Sequence, residues 1–294
     1  NCFLCSRHDF FSLDAGALTN SAFPKTPQRL MLNASSLHFP QLLGAFCAAM
    51  AAGAVNSVAG GGTLLTFPVL LALGLPPVVA NATNTVGIWP GAIGSVLGFR
   101  KELATLHKRL LWLLVPSFVG GLIGAITLRD TPQRLFEQVV PLLVLFATLL
   151  FIAQSKLRKH QPCEESRLPT DGVRFQAALL LQFGVAIYGG YFGAGMSILA
   201  LAVLGFVGMS NLLAMGATTS LLGLAINGAA GAIFIRAGLV EWPCAIAMAL
   251  GSLIGGYAAT GIARRIGKVA LRRFVILVGC SMSTVLFVRV FGSH

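Results

Sequence analysis

The chain has 294 residues, of which 56% are hydrophobic and 10% charged, with a formal net charge of +12. A soluble domain carries about 25% charged residues. These proportions and a mean hydropathy of +0.82 leave no room for a soluble domain and mark an integral, multi-pass membrane protein. The basic excess lies in short loops between apolar segments, as the positive-inside rule requires, so no nucleic-acid partner is expected.

Residues 1–38 mix Phe, Ser, Asn and Pro without periodicity and are expected to form a disordered tail. A half-helix is predicted over about 41–58, then the break Gly60-Gly61-Gly62, then a second half-helix over about 63–74. Leu75-Pro76-Pro77 turns the chain into a helix at about 79–99. A basic loop from Arg100 to Arg109 follows, then helices at about 110–128 and 135–155. These make a first transmembrane repeat, 39–155. A basic linker, 156–174, leads to a second repeat, 175–294, with helices at about 175–190, 196–207, 211–235, 242–263 and 271–290.

The halves repeat each other. An offset of 135 places Thr83 on Thr218, Ser117 on Ser252, Gly120 on Gly255, Gly121 on Gly256 and Arg129 on Arg264. The glycine breaks, Gly60-Gly61-Gly62 and Gly193-Ala194-Gly195, align at 133. If each break makes a re-entrant hairpin, a half has three full crossings and the second half is inverted, with both termini outside. The charges agree: Arg100, Lys101, Lys108 and Arg109 fill one loop of the first half, whereas Arg264, Arg265, Lys268, Arg272 and Arg273 fill the next loop of the second. Four plus four parallel crossings score as well only if Arg7, Lys25 and Arg29 of the tail are counted.

Irregular backbone at membrane depth is tolerated only where protein or a polar cavity covers it. Paired discontinuous helices are where transporters bind substrate, because a half-helix N-terminus offers N–H groups and a partial positive charge. Gly120-x-x-x-Gly124 and Gly251-x-x-x-Gly255 need only close helix packing. The candidate binding residues are therefore Asn56, Gly60, Gly61, Gly62 and Thr63 at the first break, with Gly193 and Gly195 at the second. The polar runs Thr83, Asn84, Thr85 and Thr218, Thr219, Ser220 complete the set. No carboxylate, Lys or Arg falls mid-span. A site of N–H donors, hydroxyls and amides suits a small anionic substrate and not a cation. The five His lie in tails or loops, and the six Cys show no zinc or disulfide spacing. No metal, cofactor or enzymatic motif is expected.

The stretch from Asn56 to Pro68, with Gly74-Leu75-Pro76-Pro77 and the run from Ala80 to Thr85, closely resembles the sulfite exporter TauE/SafE family, also called the sulfonate-uptake permeases. The second break and Ala217-Thr218-Thr219-Ser220 are similar to that family's second repeat, and the resemblance covers about 41–290. Many members carry Asp where this chain has Asn56. The resemblance implies a duplicated protein of the bacterial inner membrane that moves sulfite, sulfoacetate or organosulfonates. The reading from sequence is an all-α secondary transporter of a small, sulfur-containing anion by alternating access. The alternative is a non-transporting membrane scaffold or sensor that uses its basic loops.

Overall fold

The computed structural model describes residues 39–58, 61–159, 172–209, 211–262 and 268–291, and among these all regular structure is helical. The expected tail, Gly60 and most of the linker lie outside the described residues. The first half comprises α1 (Phe39–Val58), α2 (Thr63–Ala72), α3 (Pro77–Gly98), the short α4 (Arg100–Ala104), a 3₁₀ turn (Lys108–Leu113), α5 (Leu114–Asp130) and α6 (Gln133–Lys159). The second comprises α7 (Gly172–Tyr191), α8 (Met196–Phe206), α9 (Leu212–Arg236), α10 (Trp242–Ile262) and α11 (Lys268–Phe291). The segment expected as a plain basic loop is thus largely helical.

Among the described residues, four stretches are long and apolar enough to cross a membrane: Phe39–Asn56, Lys108–Asp130, Gln133–Ala153 and Leu213–Arg236. Their outer faces stay uncovered, with Phe118, Ile123 and Ile126 on α5 and Leu142, Leu145 and Leu149 on α6 exposed. In a membrane protein, apolar surface of this kind suits contact with lipid.

The chain folds back at each break. A straight helix would carry residue 62 about 15 Å from residue 52, yet a Cβ at Gly62 would lie 2.4 Å from the Ala52 carbonyl oxygen. Gly189 likewise touches Met196. Gly61 (φ +88°) and Gly195 (φ +78°) take the left-handed backbone these reversals need, which residues with a Cβ rarely adopt. At about 1.5 Å per residue, α2 and α8 are only about 15–17 Å long, half a bilayer.

Glycines also set the helix pairing and show its direction. Phe46, Met50 and Gly53 of α1 meet Gly251, Gly255 and Gly256 of α10 in the same order, so these helices run parallel. Gly87, Gly91 and Gly94 of α3 meet Met248, Ser252 and Tyr257, so α3 is parallel to α10 and hence to α1. Between α1 and α3, α2 is therefore a return stroke. The equivalent contacts recur in the other half: α5 packs on α7 as α10 does on α1, and Gly121 meets Ile226 as Gly256 meets Gly91. The counterparts α3 and α9 pack on each other antiparallel, with Val86 against Gly231, Trp89 against Gly228 and Phe99 against Gly216. They cross where Trp89 Nε1 donates to the Leu224 carbonyl at 3.0 Å, and these two residues are equivalent at the offset of 135.

Where a Cβ would strike backbone, the glycine is structural. At Gly255 it would lie 2.0 Å from the Met50 carbonyl oxygen, whereas at Gly184 nothing lies within 4 Å. Gly255→Ala should cost about 1–3 kcal/mol of stability. Gly184→Ala should be neutral or gain up to about 1 kcal/mol. Thermal unfolding of the purified variants in detergent checks both.

Candidate functional site

Both breaks are brought to the same stretch of α6. Gly61 packs on the Phe151 ring and Gly195 on Ala147, one helical turn away. Each reversal is closed by a side chain six residues upstream. Asn56 Oδ1 accepts the Gly62 N–H at 2.7 Å, and the Tyr188 hydroxyl donates to the Ala194 carbonyl at 2.7 Å. The Gly62 N–H is thus already held within the protein. Leu64, Leu65 and Thr66 donate their N–H groups to the carbonyls of Gly61 and Gly62, and Ile198 and Leu199 donate to that of Gly195. Asn56 acts here as an acceptor, which leaves its NH₂ end as its donor. Gly193 takes φ +80°, and Thr63 is buried as the first residue of α2.

The polar run of α3 joins three elements. The Thr66 hydroxyl, from α2, donates to Asn84 Oδ1. Asn81 Nδ2 donates at 3.0 Å to the carbonyl of Tyr191, which ends α7 at the second break. One turn apart on α3, Asn81 and Asn84 share a face. Both are fully buried, and Asn81 Oδ1 and Asn84 Nδ2 have no partner. A buried polar atom without a partner costs about 1–3 kcal/mol. One acceptor and one donor are thus left open on the same face of α3. Thr85 is spent locally, its hydroxyl donating to the Asn81 carbonyl at 2.9 Å.

Thr83 points elsewhere. Its Oγ1 accepts the backbone N–H of Glu241 at 2.9 Å, just before α10. In α9, the hydroxyls of Thr218 and Ser220 donate to the carbonyls of Ala214 and Gly216 one turn back. Thr219 Oγ1 is buried without a partner, and Thr219 is the counterpart of Asn84 at the offset of 135. The structure thus joins Asn84 to the first hairpin through Thr66 and Asn81 to the second break through Tyr191. It places Thr83 at the start of α10 and leaves Thr219 as a separate polar point on α9.

Three buried polar residues near these contacts escaped the sequence reading. Thr66 stood in the first motif, one turn after Thr63, which was its only signal. Asn81 opened the polar run but was not taken as a binding residue. Glu241 is the one buried charged side chain among the described residues, 9% exposed. Burial raises its carboxyl above the usual carboxylate range. Its neighbours in sequence, Val240 and Trp242, gave no sign of this.

A helical membrane protein with two glycine-broken hairpins beside unpartnered buried amides has the build of a membrane transporter. The chain belongs to the sulfite exporter TauE/SafE family, whose pattern matches residues 45–286. It is 32% identical over 258 residues to the "Probable membrane transporter protein YfcA" of Escherichia coli K12, covering 87% of this chain and 92% of that one. It is 28% identical over 245 residues to a "Probable membrane transporter protein" of Haemophilus influenzae, covering 81% and 91%. A third relative, "Probable membrane transporter protein ORF9" of a Sinorhizobium species, is 26% identical over 249 residues.

The Thr66–Asn84 pair makes a thermodynamic signature testable. Thr66→Val strands Asn84 Oδ1 beside the already open Nδ2 and should cost about 1–3 kcal/mol. Adding Asn84→Leu removes both stranded atoms and should restore stability to wild type or above. A double-mutant cycle by thermal unfolding in detergent measures this.

Proposed function

We propose that the protein carries a small, sulfur-containing oxyanion, such as sulfite, sulfoacetate or an organosulfonate, across the bacterial inner membrane by alternating access between its two halves. It does no chemistry on the substrate. The observation that carries this reading is the open donor of Asn84, fully buried where α3 meets Thr66 of α2, one turn from the Asn81 that reaches the second break. An oxyanion oxygen satisfies that donor. No buried Lys or Arg is present among the described residues, so a bound anion relies on neutral donors and can leave again. The substrate class comes from the family, in which sulfite is the named cargo.

Alternating access is supported by the pairing of the halves. A twofold relation between the antiparallel helices α3 and α9 has its axis across them, so if they cross the bilayer the second half is inverted. Arg100, Lys101, Lys108 and Arg109 follow the C-terminal end of α3, and Arg264 and Arg265 follow that of the parallel α10. By the positive-inside rule that face is cytoplasmic, and the starts of α1 and α10 face outward. The shared stretch of α6 at Ala147 and Phe151 is the pivot against which the hairpins rock.

Asn84→Asp tests the sign of the charge that the site accepts. It keeps the shape and the Thr66 contact but sets a carboxylate beside the anion. Exchange of radiolabelled sulfite, sulfate or methanesulfonate in proteoliposomes should fall by more than ~100-fold. Undiminished exchange by folded Asn84→Asp protein would contradict an anion site here.

A further inference from the structure

We infer that Glu241 is a proton-binding site coupled to the anion site, which makes the protein a proton–anion symporter. The inference rests on the transport reading above. Its observation is a placement the sequence did not show. Glu241 lies at the outward end of α10, 9% exposed, and its N–H is held by Thr83 Oγ1 at 2.9 Å. Thr83 is the residue before Asn84 on α3, so the acid is anchored to the helix that carries the open amides.

The surroundings leave this carboxyl uncompensated. The helices packed on α10 are α1 and α3. Between Pro77 and Gly98, α3 has no titratable side chain, and it presents Thr83 to Glu241. The one titratable residue of α1 is Cys47, which is exposed. On α10 itself the buried Cys244 follows within a turn. Arg236, closing α9, is exposed, and no salt bridge reaches Glu241 among the described residues. Among the described residues nothing of opposite charge holds the carboxylate form, and burial favours the neutral acid.

The coupling follows from like charge. An anion at Asn84 raises the proton affinity of Glu241, and a proton on Glu241 raises anion affinity by the same factor, since linkage is reciprocal. Proton and anion then load together, cross together and leave together. Above the carboxyl's raised titration range, anion affinity should fall by up to about tenfold per pH unit.

The experiment uses the full chain in proteoliposomes with radiolabelled sulfite, sulfate and methanesulfonate. Counterflow without a pH gradient tests transport alone, and accumulation driven by an imposed gradient tests coupling. Wild type should show both. Glu241→Gln should exchange at a rate held at the wild type's acid-side level at every pH and should lose gradient-driven accumulation. Comparison of variant with wild type cancels any titration of the anion itself. Glu241→Asp should keep coupling with its pH profile displaced, which covers the case in which the Gln variant does not fold. Accumulation that persists in Glu241→Gln, or an Asp profile that coincides with wild type, would overturn the inference and leave transport standing. Absence of wild-type counterflow for all three anions would overturn the transport reading and this inference with it.

Discussion

A backbone N–H or carbonyl left unpaired in hydrocarbon costs several kcal/mol, so a helix that stops at membrane depth must be closed from within. The rest of this structure depends on how that is done twice. At the first break the chain reverses on glycines, and Asn56 takes the Gly62 N–H. At the second it reverses on Gly193 and Gly195, and Tyr188 takes the Ala194 carbonyl. Opposite groups are capped by opposite chemistry, acceptor in one half and donor in the other. With these groups satisfied, two short helices can sit at half-bilayer depth and meet on α6.

The second consequence is close packing. The hairpins come together because the helices around them approach until backbone touches backbone, and Gly120, Gly121, Gly124, Gly190, Gly251, Gly255 and Gly256 leave no room for a methyl group. In lipid there is no hydrophobic gain from bringing helices together, so van der Waals contact and a few interhelical hydrogen bonds carry the association. The Trp89–Leu224 bond and the buried Gln182–Ser117 bond are two such links. Because equivalent glycines make equivalent contacts in the two halves, the packing itself relates them.

Much of this was legible in the sequence. Glycine clusters inside apolar stretches marked the breaks, and the second half-helix, expected over 63–74, runs Thr63–Ala72. An offset of about 135 in the polar runs pointed to a repeat, and the contacts of α5 with α7 and of α10 with α1 are alike in the two stretches it relates. The contents of the site were less legible, because they depend on which face each helix turns to which neighbour. Asn81 reaches Tyr191 across 110 residues, a contact set by packing and not by local pattern. Thr83 and Thr218 were read as equivalent, yet one is held by Glu241 and the other bonds its own helix. Glu241 looked like a loop residue, and it does lie just before α10, but its backbone is tied to Thr83 of α3 and it is buried there.

The central claim is that a small oxyanion crosses through this fold. Counterflow is its most direct test: purified protein in liposomes loaded with unlabelled sulfite, with uptake of radiolabelled sulfite followed and sodium, potassium and a neutral sugar tried in parallel. The account requires rapid labelled uptake that unlabelled sulfonates compete for and that the cations and the sugar neither drive nor replace. Folded protein that exchanges a cation or the sugar but none of the anions would contradict it.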